Sequence, residues 1–91
     1  ALIVTKEEAT LRLLDDKGRN RALFGMVEGV VRLGLLDEKG GLRALLSVPK
    51  GGPGLSLLDE EGKVRALLAL EKDRPMLGVS DETGKLIWSA P

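Results

Sequence analysis

Hydrophobic residues along the chain form short runs of about five to seven positions, and turn-forming residues separate these runs about every 11 residues. Residues 66–70, taken alone, would suit a helix because Ala and Leu favour helices. Gly29, Gly51 and Pro75 interrupt the pattern too often for a helix of ordinary length. The pattern therefore predicts an all-β fold, an antiparallel meander of eight or nine short strands.

A unit of 22 residues repeats along the chain without any change of spacing. The unit reads L-x-L-L-D-x-x-G-x-x-R-A-L-x and continues into a second connection of Gly, Pro and charged residues. Asp favours the first position of a type I turn, and Gly favours the left-handed residue that follows it in a hairpin connection. Each unit is therefore predicted to be a β-hairpin with a structural turn. The turn residues are Asp15, Gly18, Asp37, Gly40, Asp59, Gly62, Asp81 and Gly84.

The repeats define one β-hairpin repeat domain. It spans residues 1–91 and comprises a partial repeat 1–8, repeats 9–30, 31–52 and 53–74, and a capping repeat 75–91. The last repeat departs from the others, with Ile87, Trp88 and Ser89 in place of Arg, Ala and Leu. Since terminal repeats often close a stack, we predict Trp88 as a cap, with a sugar-binding aromatic as the alternative. The first residues match the second strand of a unit, so we expect the chain to begin within a repeat.

Strand alternation places Leu11 and Leu13 on one face, and likewise Ala44, Leu46 and Val48. One face is therefore consistently apolar and the other is partly so. A single sheet of this kind needs cover on both faces. We expect identical chains to provide it in a homo-oligomer, with a trimer favoured, as a β-prism or stacked sheets. A propeller-like arrangement and a closed barrel are the alternatives.

Composition narrows the classes of function. The 14 basic and 14 acidic residues give a net charge of zero, which argues against a nucleic-acid partner. The chain has no Cys and no His, which removes thiolate ligands, the commonest transition-metal ligand and the usual general base, and leaves only carboxylate-based chemistry as an enzymatic option. Because the acidic residues recur alike in every copy, we expect no metal, no cofactor and no catalytic residue. The apolar runs are too short to span a bilayer, and we expect no membrane contact by this segment. The absence of Gln, with 31% charged residues, is typical of a thermophilic source.

Three sets of recurring residues are candidate sites: the acidic residues of the turns, the arginines that follow them, and the small residues within strands. A calcium ion needs six or more oxygens, whereas each turn offers two acidic residues, and paired glycosidase carboxylates would not recur in every copy. The Arg positions suit either a carboxylate-binding stripe or solvated and ion-paired side chains. Small residues within strands predict close backbone approach or a bend. The Arg positions are Arg21, Arg43 and Arg65, and the small residues are Gly25, Gly34 and Gly78.

The final residues read G-K-L-I-W-S-A-P, from Gly84 to Pro91. With the repeats, they resemble a group of uncharacterised bacterial tandem-repeat proteins whose units read L-x-L-x-D-x-x-G-K-x-R-A-x-L and which end in G-K-x-I-W-x-A-P. The resemblance covers nearly the whole chain. It implies an exported or membrane-anchored full-length protein with a hydrophobic segment ahead of the repeats, and it implies no activity, catalytic residue or ligand.

The sequence therefore predicts a non-catalytic structural or interaction module that assembles with itself into a β-rich stalk or display platform. The alternative is a small lectin-like or other ligand-binding β-repeat protein. That alternative is weakened by composition, because sugar sites favour aromatic platforms and aromatics make up only 2% of the chain.

Overall fold

A computed structural model describes the backbone of residues 2–4 and all atoms of residues 10–90. The partial repeat assigned to residues 1–8 is therefore described only at residues 2–4, and the remainder lies outside the described residues. Nine strands form in chain order, with no helix in the described ranges. The strands are β1 (Leu2–Val4), β2 (Leu11–Leu14), β3 (Asn20–Val27), β4 (Val30–Leu36), β5 (Leu42–Val48), β6 (Gly54–Leu58), β7 (Val64–Glu71), β8 (Arg74–Ser80) and β9 (Leu86–Ala90).

The strands form one antiparallel sheet in which each strand pairs with the next in sequence. This confirms the prediction of an all-β meander. The sheet stays open, with β1 and β9 at its two edges, so the chain does not close on itself as a barrel. Its extents of 39 × 28 × 14 Å are those of a single layer.

Each Asp-x-x-Gly segment forms a tight hairpin turn. In the first, the Gly18 N–H donates to the Asp15 carbonyl at 3.0 Å, and the Asp15 N–H donates to the Arg19 carbonyl at 2.9 Å. Gly18 has a φ of 78°, in the left-handed region, as expected for a type I turn with a glycine bulge. The other three turns have the same pattern, with φ from 84° to 92° at Gly40, Gly62 and Gly84.

A second irregularity follows each turn. Leu13 pairs with Ala22, whereas Leu14 pairs with Asn20, so Arg21 is an extra residue on β3. Such a bulge strengthens the local twist and leaves the extra residue outside the backbone ladder. The register shifts in the same way in the three later hairpins. The extra residues there are Arg43, Arg65 and Ile87.

The connections between hairpins differ from one another. Glu28 and Gly29 form a two-residue turn with φ of 51° and 80°, and Lys72 and Asp73 form another with 50° and 66°. Positive φ at both central residues is the mark of the type I′ turn, which suits the twist of adjacent strands. The connection over residues 49–53 is longer. There Gly52 is required because a Cβ would collide with the Leu70 carbonyl oxygen.

The sheet has no interior of its own. Among residues 10–90, no hydrophobic residue is buried, and Gly34 alone falls in the buried class. A sheet that is one layer thick exposes both faces, because side chains alternate between them and nothing in the chain packs above or below. The chain thus leaves its hydrophobic residues partly in contact with solvent.

Replacing Gly40 tests the turn. A Cβ at Gly40 meets nothing within 4 Å, so the cost of Gly40→Ala comes from its φ of 86° rather than from a clash. We expect Gly40→Ala to lower the free energy of unfolding by about 1 kcal/mol, and Gly40→Asn by less, because Asn tolerates left-handed backbone. Urea denaturation at equal protein concentration measures both. Equal losses for the two variants would contradict this explanation.

Candidate functional site

One side of the sheet, here called the apolar face, carries only hydrophobic side chains. It consists of two long cross-strand rows with further residues beside them. The first row is Leu11, Phe24, Leu33, Leu46, Leu55, Leu68, Leu77 and Ala90. The second row is Leu13, Ala22, Leu35, Ala44, Leu57, Ala66, Val79 and Trp88. The flanking residues are Met26, Val31, Val48, Leu70 and Pro75.

Exposure is concentrated on this face. Thirteen of the eighteen large hydrophobic side chains that stay well exposed in residues 10–90 belong to it. Leu46, near the middle of the sheet, is 44% exposed, and Leu68 is 52% exposed. Contiguous exposed apolar patches larger than a few hundred Å² are rare on monomeric soluble proteins and mark interaction surfaces.

The opposite side, here called the mixed face, has a different pattern. Its central row alternates large and small side chains, with Leu at one strand and Gly or Ser at the next over most of its length. The row is Arg12, Leu23, Gly34, Leu45, Ser56, Leu67, Gly78 and Ser89. A Cβ at Gly34 would lie 3.1 Å from Leu42 Cδ1, and one at Gly78 would lie 3.4 Å from Leu86 Cδ1. Gly34 and Gly78 therefore make room for a leucine side chain, rather than for backbone as their sequence suggested.

The recurring spacing of the aspartates has a direct structural reason. Asp37 Oδ1 accepts hydrogen bonds from the backbone N–H groups of Lys39 at 3.0 Å and Gly41 at 2.9 Å. The other three aspartates accept the same pair, two and four residues later. A carboxylate that accepts two N–H groups holds both ends of its turn.

The arginines of the repeat join one hairpin to the next. Pairing of β3 with β4 ends at Ala22 and Leu35, and Arg21 Nε then donates to the Leu36 carbonyl at 3.1 Å. Arg43 and Arg65 donate in the same way to the carbonyls of Leu58 at 2.9 Å and Ser80 at 2.7 Å. Each side chain thus occupies a backbone acceptor that the bulge leaves without a ladder partner.

The same arginines face the turn aspartates. Arg43 Nη1 lies 3.5 Å from Asp37 Oδ2, and equivalent pairs join Arg21 to Asp15 at 3.7 Å and Arg65 to Asp59 at 3.6 Å. The arginines are 38% to 42% exposed, and exposed ion pairs contribute little to stability. The arginine series thus contacts the turns themselves. Ile87 replaces Arg on β9, which has no following strand in this sheet.

These contacts lower the pKa values of the aspartates. The backbone N–H four residues later is the largest cause that holds the carboxyl pKa of Asp15, Asp37 and Asp59 below the ordinary value of 3.8. For Asp81 the largest cause of the lowered pKa is the hydrogen bond from the Thr83 hydroxyl. The turns therefore favour the ionised form of these aspartates.

Trp88 lies on edge strand β9, on the apolar face, and is 53% exposed; its role as a cap stays a prediction. No group of three or more acidic side chains that could hold a metal ion occurs within residues 10–90. A concavity of about 870 Å³ lies beside β7, β8 and β9 and is lined by charges of both signs, among them Glu71 and Arg74.

Two further residues of the mixed face are not indicated by the repeating pattern of the sequence. Arg12 and Arg32 lie on the mixed face, at positions where other repeats carry smaller or apolar side chains. Both line a cavity of about 320 Å³, together with Leu23 and Leu45. Their signal in the sequence was the departure from the repeat, rather than the repeat itself.

Comparison with known proteins identifies no family. No protein-family model matches the chain, and no curated protein matches it. The resemblance to tandem-repeat proteins that end in G-K-x-I-W-x-A-P therefore stays a prediction. In the part of the chain that the structure describes, no helix has the length and hydrophobicity needed to cross a membrane.

Acid should weaken the turns. Since the folded pKa of Asp37 is lowered, its ionised form adds stability above the unfolded pKa, and this contribution is lost as the pH falls through the folded pKa. We expect Asp37→Asn to reduce the difference in urea midpoint between about pH 6 and about pH 3. Glu38→Gln, which removes a charge from the same turn, is the control. An unchanged difference in Asp37→Asn would contradict the role of the carboxylate.

Proposed function

We propose that the protein is a non-catalytic structural or interaction module that assembles with itself through the apolar face. One observation carries the proposal: no hydrophobic residue among residues 10–90 is buried, although an entire face is hydrophobic. The hydrophobic effect is the main favourable contribution to folding, and a layer that leaves its hydrophobic side chains partly exposed receives only part of it. A second layer is needed for stability, and a copy of the same chain can supply it.

The size of the apolar face suits such an interface. The 39 × 28 Å outline gives each face an area on the order of 1,000 Å², and a standard stable interface buries about 800 Å² on each partner. The face carries no charged side chain in its two rows, so no ionised group would be desolvated on contact. Area and polarity therefore both favour a stable contact.

The relief of the face suits contact with itself. In the second row, Leu at one strand alternates with Ala at the next from β2 to β7. A hollow of about 290 Å³ lies above Ala22, between Leu13 and Phe24. Sheets pack face to face about 10 Å apart with interdigitated side chains. If one copy is shifted by the width of one strand relative to the copy that faces it, each leucine of the second row lies over an alanine of the facing copy.

This arrangement would leave the turns and the mixed face on the outside. Face-to-face stacking is one of the two forms expected from the sequence. The other, a β-prism of three sheets around an axis, is the favoured trimer and would bury the same apolar face at its centre. Such an assembly presents its Asp-x-x-Gly turns in a row at one end of the strands, consistent with a stalk or display platform. The lectin-like alternative gains no support from the aromatic residues, because Phe24 on β3 and Trp88 on β9 are six strands apart.

Sedimentation of a charged variant tests the proposal. We expect the wild-type protein at micromolar concentration to sediment as an oligomer, with three times the 9.7 kDa chain mass for a trimer. Leu46→Glu places a charge at the centre of the apolar face and should abolish assembly, because the interface would desolvate an unpaired carboxylate. Ser47→Glu adds the same charge to the opposite face of the same strand and should leave the oligomer intact.

The wild-type protein provides a test that does not depend on whether Leu46→Glu folds. A folded wild-type monomer, shown by circular dichroism and light scattering at the same concentration, would overturn the proposal without any variant. Loss of the oligomer in Ser47→Glu but not in Leu46→Glu would place the interface on the mixed face and would also overturn it.

A further inference from the structure

In a repeat protein, residues that recur in every copy maintain the fold. A residue that differs in one copy is not explained by the fold alone. Arg12 stands where the following repeats have Gly34, Ser56 and Gly78. Arg32 likewise stands where the next repeat has Gly54. A long charged side chain within a strand is a departure of this kind, since other repeats carry Gly or Ser at the Arg12 position and Gly54 or Met76 at the Arg32 position.

Both departures occur on one side of one repeat. Arg12 on β2 lies opposite Leu23, and Arg32 on β4 lies opposite Gly25, so the two arginines flank β3 from either side on the mixed face. Because Gly25 has no side chain, the space between them stays open. The resulting cavity of about 320 Å³ is at the small end of the range for ligand sites. Its apolar wall includes Leu23, Leu42 and Leu45.

The two arginines of the cavity lack partners within the described residues. Within the described residues, no ion pair or hydrogen bond is recorded for the guanidinium of Arg12 or Arg32, whereas the repeated arginines all have both. Arg12 Nε is buried without any acceptor. Among the described residues, the side-chain atom Asn20 Oδ1 is also buried without a partner, but Asn20 does not line this cavity. Buried donors without acceptors are rare, and each calls for an explanation.

We propose that Arg12 and Arg32 form a binding site on the mixed face for a small carboxylate that carries an apolar chain. The carboxylate accepts hydrogen bonds from the two guanidinium groups, which bind carboxylates in planar geometry. The apolar chain lies against the leucines of the cavity wall. The site is on the opposite side of the sheet from the apolar face, so it does not depend on the proposed assembly.

The competing explanation is that the two arginines only keep the mixed face hydrated near the edge of the sheet. That role needs charge but no ligand, and it places no demand on the chain length or charge of an added molecule. Binding measurements with matched ligands separate the two explanations.

The experiment is calorimetric titration of the intact protein with octanoate, octanamide and acetate. Octanamide keeps the chain without the charge, and acetate keeps the charge without the chain. We expect octanoate to bind about tenfold or more tightly than either, because both the charge-assisted hydrogen bonds and the apolar contact contribute. The variants Arg12→Ser and Arg32→Gly use residues that other repeats carry at these positions, and each should weaken octanoate by a similar factor.

Arg74→Ser is the matched control, since it removes an exposed arginine outside the cavity and should leave octanoate binding unchanged. Sedimentation of each variant checks that its assembly state matches the wild type. The proposal is overturned if octanoate does not bind, if octanamide binds as tightly, or if Arg74→Ser weakens binding as much as Arg12→Ser does.

Discussion

A single layer of antiparallel strands has two faces and no interior, and this constraint governs the whole molecule. Backbone pairing from β1 to β9 fixes the layer, but no described hydrophobic residue is buried by it. Backbone hydrogen bonds replace hydrogen bonds to water and each contributes little net stability, so the stability of such a sheet depends mainly on how far its hydrophobic side chains are buried. The properties of the two faces therefore decide what the protein can do.

The 22-residue repeat makes both faces regular. Each unit contributes one turn, one bulge and two strands, so equivalent residues of successive units always return to the same face. Asp37 holds its turn, and Arg43 links that turn to the next hairpin through the Leu58 carbonyl. These contacts lie at one end of the strands, and the side chains of the apolar face take no part in them.

Much of this fold follows from the sequence. The turn at Asp15 and Gly18 has one favourable conformation, and alternation between strands then determines which residues share a face. The contacts of Arg21 did not follow in the same way, because they depend on a bulge. The extra residue of the bulge shifts the strand register, and no local sequence pattern predicts where this happens. Arg12 was missed for a different reason. Recurrence between repeats identifies the residues that build the scaffold, and Arg12 occurs in one repeat only.

The dependence of stability on protein concentration tests the central claim most directly. If the apolar face is buried only between copies, unfolding and dissociation are coupled, and the melting temperature must rise with total protein concentration. We predict a steady increase over a hundredfold range of concentration, with loss of β-structure and loss of the oligomer at the same temperature. A melting temperature independent of concentration, with β-structure retained in the monomer, would contradict the claim that the sheet needs a second copy.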